Sequence, residues 1–103
     1  SWADNVLRKA GVHATGPYIV PNVMVDSYAV YTNNPYAGAM RGFGATQVAV
    51  AYEQQMDILA HELNMSPAEI RLKNILRVGS FTSTGQLLNN SVPLENCLRS
   101  VTE

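Results

Sequence analysis

Residues 22–32 read Asn-Val-Met-Val-Asp-Ser-Tyr-Ala-Val-Tyr-Thr. A run this rich in β-branched and aromatic residues favours extended backbone over helix. Alternation puts Val23, Val25, Ala29 and Tyr31 on one face and Met24, Tyr28 and Val30 on the other. Both faces are then largely apolar, as in an interior strand. An interior strand needs a ladder partner at each edge, because buried peptide groups left unpaired are costly. The rest of the chain offers only two short strand-like pieces, residues 18–20 and 86–88. The expectation is an α+β fold of one main strand plus about four helices, in which residues 1–103 form a single segment and the strand pairs with something outside them.

Helical periodicity accounts for most of the remainder. Trp2, Val6, Leu7 and Ala10 recur at helical spacing and predict a helix over 2–14, closed by Gly16-Pro17. Asn33-Asn34-Pro35 ends the strand, since proline keeps its predecessor out of the α region. Val48, Tyr52, Met56, Leu59, Ala60 and Leu63 form one stripe and predict a helix over 45–64. Val50 and Ile58 lie off that stripe and suggest a second contacting surface. Glu53 and Asp57 stand four residues apart at its edge. Such a pair can ligate a metal, but more commonly it is solvated or holds a structural arginine. Ser66-Pro67-Ala68-Glu69 has the serine, proline and glutamate of a capped helix start and predicts a helix to about residue 77. Pro93 opens a last helix to residue 102, with Leu94, Cys97, Leu98 and Val101 on one side.

Charge and cysteine content remove several classes of function. The formal net charge is −1 and the seven lysines and arginines are scattered, so nothing resembles a nucleic-acid or anionic-membrane footprint. Cys97 is the single cysteine, which leaves no internal disulfide, cysteine-based zinc site or iron-sulfur cluster. A reducing compartment is the easier fit. No basic-then-apolar leader is present and the longest apolar run, residues 48–52, is far too short for a bilayer, so the expectation is a cytoplasmic protein. His13 and His61 lack the neighbours of a nucleophilic triad. His61-Glu62 starts like a zincin motif, but position 65 is Met65 where the second histidine belongs. Gly42-Phe43-Gly44 starts like a dinucleotide fingerprint and departs from it at Gln47.

The stretch of greatest chemical interest is Tyr36-Ala37-Gly38-Ala39-Met40-Arg41-Gly42-Phe43-Gly44. Glycine tolerates positive φ and close backbone approach, so Gly42 and Gly44 permit a tight turn on both sides of Phe43. The helix that follows directs its unpartnered first amides toward the turn, a generic site for an anion or oxo ligand. The structural alternative is a strand-to-helix corner with Phe43 as a core plug.

At this corner the chain resembles a known family. Thr32-Asn33-Asn34-Pro35, Gly38-Ala39-Met40-Arg41-Gly42-Phe43-Gly44, Glu53 with Met56-Asp57 and Leu59-Ala60, Pro67-Ala68-Glu69-Ile70-Arg71 with Asn74, and Thr84-Gly85-Gln86 look like the molybdopterin-binding large subunit of the xanthine dehydrogenase and aldehyde oxidase family. These molybdenum hydroxylases insert a water-derived oxygen at an electron-poor carbon of an aldehyde or N-heterocycle. The resemblance implies that the backbone at Arg41 lies against the oxo or hydroxo ligands of the metal, with Met40 and Gly42 beside the cofactor, and that Phe43 stacks on the substrate ring. Many members carry an aromatic residue where this chain has Met40. Xanthine-acting members carry a substrate-orienting arginine where this chain has Lys9, a point charge without arginine's planar fork.

The family's catalytic glutamate and pterin-gripping segments match nothing here, so no catalytic residue is assigned. The resemblance implies molybdenum-molybdopterin, 2Fe-2S and FAD in the parent enzyme, the last two on other domains or subunits, and none of them bound to this segment alone. Its implied partners are the rest of the molybdopterin-binding subunit, the iron-sulfur and flavin modules and a small-molecule substrate, with no nucleic acid and no membrane. The rival expectation is a non-catalytic interaction module that docks a partner through Val50, Ile58 and the strand edge.

Overall fold

The computed structural model describes residues 2–102. Its helices are α1 (Ala3–Val12), α2 (Ala45–Glu62), α3 (Pro67–Asn74) and α4 (Leu94–Thr102). The start of α3 follows from local chemistry. Ser66 Oγ accepts from the Glu69 backbone N–H at 3.1 Å, and the Glu69 carboxylate accepts from the Ser66 N–H at 2.9 Å. Two otherwise unpartnered donors are thereby satisfied, and Pro67 enters where its missing N–H does no harm. The Ser66 hydrogen bonds also hold the Glu69 carboxyl below its ordinary pKa.

Helix α3 ends at Asn74, short of the residue 77 expected from sequence. Ile75 turns to extended backbone, φ −69° and ψ 143°, and forms an antiparallel bridge with Tyr18. The Ile19 N–H donates to the Asn74 carbonyl at 2.7 Å and the Leu76 N–H to that of Pro17 at 2.8 Å. This crossing carries the small core, in which Tyr18, Ala60, Ile70, Ile75 and Leu76 are buried.

The strand expected over 22–32 is not formed, and the α+β description does not hold for the chain by itself. Among the described residues, β structure is reduced to two isolated antiparallel bridges, Tyr18 with Ile75 and Phe81 with Leu87. Residues 23–32 lie against solvent, with Met24 88% exposed and Tyr31 fully so. The reason is non-local. Among the described residues no second strand is long enough to pair with this run; Val23 and Val25 are partly covered, with Val25 beside Gly11 of α1, while Met24, Tyr28, Val30 and Tyr31 stay exposed.

An arginine clamp joins α2 to α3. Arg71 donates Nε to Glu53 Oε2 and Nη1 to Asp57 Oδ1, both at 2.8 Å, and Nη2 to the Glu53 carbonyl at 3.1 Å. Tyr18 adds its hydroxyl, donating to Glu53 Oε1 at 2.8 Å. Burial opposes the charge on Arg71, but the hydrogen bonds to Glu53 and Asp57 outweigh it and push the guanidinium pKa up. Burial first, and then the bond to Glu53, pushes Tyr18 up to about 12. Glu53 and Asp57 therefore hold a structural arginine.

The helix stripes are only partly covered. Along α2, Ala60 is buried and Val48, Tyr52 and Met56 are half-buried, while Leu59, Leu63, Val50 and Ile58 are exposed. On α4, Leu94 and Leu98 are half-buried, and Cys97 and Val101 face solvent. No helix among the described residues is long and apolar enough to cross a membrane.

Candidate functional site

Gly42, Phe43 and Gly44 all have positive φ, at 95°, 50° and 102°. Three consecutive left-handed residues reverse the chain sharply just before α2. The Phe43 N–H donates to the Met40 carbonyl at 2.9 Å and the Ala45 N–H to that of Gly42 at 3.1 Å. The turn is also pressed against α1. Gly44 is buried, and a Cβ there would overlap the Val6 carbonyl oxygen and lie 2.9 Å from the Ala10 nitrogen. A side chain would thus force the corner and α1 apart, which explains glycine at 44.

Docking α1 against the corner brings two of its side chains onto Phe43. Lys9 Nζ lies over the Phe43 ring, 5.8 Å from its centroid. Trp2 meets the same ring edge-on, with centroids 6.3 Å apart and planes at 87°. A cation above an aromatic face and a perpendicular ring at its edge both exploit the ring quadrupole. Phe43 is half-buried between them.

The structure brings together Phe43 and Lys9, both singled out from sequence, with Gly42 in the turn that presents the ring. Met40 is 73% exposed and Arg41 is exposed, on the side of the corner turned from the core. Trp2 escaped the sequence reading as a site residue, having been counted only as one apolar position of a helix. Nothing local in the sequence marks it, since its contact with Phe43 arises only when α1 docks on the corner.

Among the described residues no group of three or more His, Cys, Asp or Glu is gathered to hold a metal. Helix α2 begins with no side-chain cap and no acid in its first turn, and a Cβ built at Gly38 meets nothing within 4 Å. The backbone at Gly42 is covered by the Thr46 side chain and that at Gly44 by α1, while Arg41 is exposed.

Four helices without a sheet among the described residues, and a left-handed corner that carries an aromatic ring between two glycines, make up the fold that comparison with known proteins places. The chain belongs to the molybdopterin cofactor-binding domain family, whose model matches residues 1–75. It is 50% identical over 103 residues to the nicotinate dehydrogenase large molybdopterin subunit of Eubacterium barkeri, a match covering all of this chain and 24% of the relative. It is 40% identical over 85 residues to a xanthine dehydrogenase of Oryza sativa subsp. japonica, covering 82% of this chain and 6% of that protein. Among solved structures, aldehyde oxidoreductase from Desulfovibrio gigas superposes with a TM-score of 0.73 at 33% identity, over 94% of this chain and 10% of that one. The chain therefore spans a quarter or less of the length of these relatives.

Proposed function

We propose that residues 1–103 are one segment of the active-site wall of a molybdenum-dependent hydroxylase that acts on an N-heterocycle or aldehyde. The observation that carries this reading is the convergence of Lys9 on Phe43 at the left-handed corner of a chain in the molybdopterin cofactor-binding family. Phe43 offers a ring face for a flat substrate, held by a turn that the docking of α1 makes rigid. Lys9, whose Nζ stands over one side of the ring, leaves the other side for the substrate and supplies a positive charge that orients a polar or anionic substituent. The backbone at Arg41, flanked by Met40 and Gly42, faces the cofactor, and the Arg41 side chain adds positive charge there.

When bound, the molybdenum-molybdopterin group accepts the two electrons released as a carbon exchanges hydrogen for a water-derived hydroxyl, with two protons leaving to solvent. This chain's own residues bind and orient the substrate and shape one side of the pocket. The catalytic base and the residues that grip the pterin lie in the rest of the subunit, and 2Fe-2S and FAD sit on other domains or subunits. The isolated segment is inactive. The exposed apolar run at 23–32 fits this reading, because its unpaired extended backbone can pair with the remainder of the subunit.

The test is the molybdenum content of the native complex, captured from source cells with an antibody against this chain and measured by elemental mass spectrometry. Roughly stoichiometric metal in a polypeptide much longer than this one is expected. A short native chain without molybdenum would overturn the proposal.

A further inference from the structure

We infer that Trp2 is a positioning residue for Phe43, and through it for a planar substrate; this rests on the stacking role proposed for Phe43. Three observations meet at this ring. The Trp2 indole packs on it as a T-shaped pair, with centroids 6.3 Å apart and an interplanar angle of 87°. Lys9 Nζ stands over the ring face. The ring also springs from a backbone position of φ 50°, whose neighbours at 42 and 44 are glycines. The left-handed backbone of Phe43 limits its rotamers, and the final tilt of the ring plane is set by what touches it.

Of the two contacts, Lys9 is a flexible stem ending in a point charge and resists ring rotation weakly. Trp2 is a rigid plate. Its carbonyl accepts from the Asn5 and Val6 N–H groups at 3.1 and 3.2 Å, which ties its backbone to the first turn of α1. Helix α1 is in turn seated on Gly44, where a Cβ would strike the Val6 carbonyl oxygen. Indole, helix and corner therefore form a closed loop of contacts that holds the Phe43 plane. Trp2 is 64% exposed in this segment.

A flat substrate that stacks on Phe43 inherits this plane, and productive orientation at the reacting carbon depends on it. Removing the indole edge leaves the stacking face present but free to tilt. The loss should fall on the turnover of planar substrates and leave the cofactor untouched.

The experiment uses the full-length parent enzyme, unmutated and as Trp2→Phe, Trp2→Leu and Phe43→Ala. Nicotinate, hypoxanthine and benzaldehyde serve as planar probes, and the one oxidised fastest by the unmutated enzyme is carried through the series. Trp2→Leu keeps apolar bulk beside Val6 but removes the aromatic edge, so it separates orientation from folding. We expect Trp2→Leu to lower kcat/KM by between about 2- and 10-fold, the range an edge-to-face pair supports. Trp2→Phe should recover most of that loss, with molybdenum content and the rate of reduction by dithionite unchanged in both variants. Unchanged kcat/KM in Trp2→Leu, failure of Trp2→Phe to recover activity, or a parallel loss of molybdenum or dithionite reduction would overturn the inference. Phe43→Ala distinguishes the two layers. If it leaves the planar probe unaffected, or no probe is oxidised at all, the stacking role itself fails; if it impairs turnover while Trp2→Leu does not, only the role of Trp2 falls.

Discussion

Gly44→Ala tests the contact on which the corner depends. Residue 44 sits at φ 102°, and its added methyl would overlap the Val6 carbonyl oxygen while lying 2.9 Å from the Ala10 nitrogen. Two costs follow. An L-residue in left-handed backbone is destabilised by about 1–2 kcal/mol. Overfilling a packed contact adds about 1–3 kcal/mol, and more where backbone must move. The flexible end of a side chain could yield at low cost, but both struck atoms belong to the backbone of α1, so the helix itself must shift. Gly79→Ala provides the control, since Gly79 has φ 89° and open space where its Cβ would stand; it should pay only the first cost. The difference, about 1–3 kcal/mol, belongs to the seating of α1.

Hydrogen exchange read by mass spectrometry on peptides from residues 3–12 of the parent enzyme measures that term directly, because local opening is reported in the segment that opens. Exchange in α1 should accelerate roughly 5- to 150-fold in Gly44→Ala and stay near the unmutated rate in Gly79→Ala. Lys9 and Trp2 would separate from Phe43, so the turnover of planar substrates should fall with it. Equal protection of α1 in the two variants would refute the argument that residue 44 is glycine because of α1.

Two further predictions concern the network beneath the site. Tyr18 is held up to about 12 by burial and by its bond to Glu53, against an ordinary value of 10.0. Because the folded-state pKa is the higher one, its contribution is fully present below pH 10 and is lost as pH rises towards 12. Thermal stability should therefore fall over that interval, and Tyr18→Phe should flatten the decline; identical profiles would exclude Tyr18 as its source. Arg71→Ala should destabilise the α2–α3 contact by about 1–3 kcal/mol through lost charge-assisted hydrogen bonds. The lower end is expected, since Glu53 and Asp57 are 38% and 57% exposed and water replaces much of what they lose. Urea unfolding of the parent subunit, with exchange rates in residues 45–74, reads this out, and no change in either would show the clamp to be ornamental.

Much of the chain was legible because its determinants are local. The capping box of Ser66 and Glu69 operates within one turn and needs no distant partner. The start of α2 at Ala45 follows from glycines at 42 and 44. Spacing also placed Glu53 and Asp57 where a structural arginine could reach both, though which arginine was decided by the crossing of α3 over α2. The apolar alternation at 22–32 was read as a strand whose partner lies outside these residues; no strand forms among the described residues, because a strand exists only in its ladder. Helix α3 stopped at Asn74 for the converse reason, as Ile75 found a partner in Tyr18, 57 positions away along the sequence.

The site divides in the same way. The sequence by itself determined a sharp glycine corner that presents Phe43 ahead of a long helix, since the conformational freedom of glycine and the periodicity of α2 are properties of neighbouring residues. Only the tertiary structure decided what stands around that ring. Lys9 and Trp2 precede Phe43 by 34 and 41 positions, and no local preference relates them. They meet because the bare backbone of Gly44 lets α1 settle against the corner, a contact that exists only once the two elements are packed.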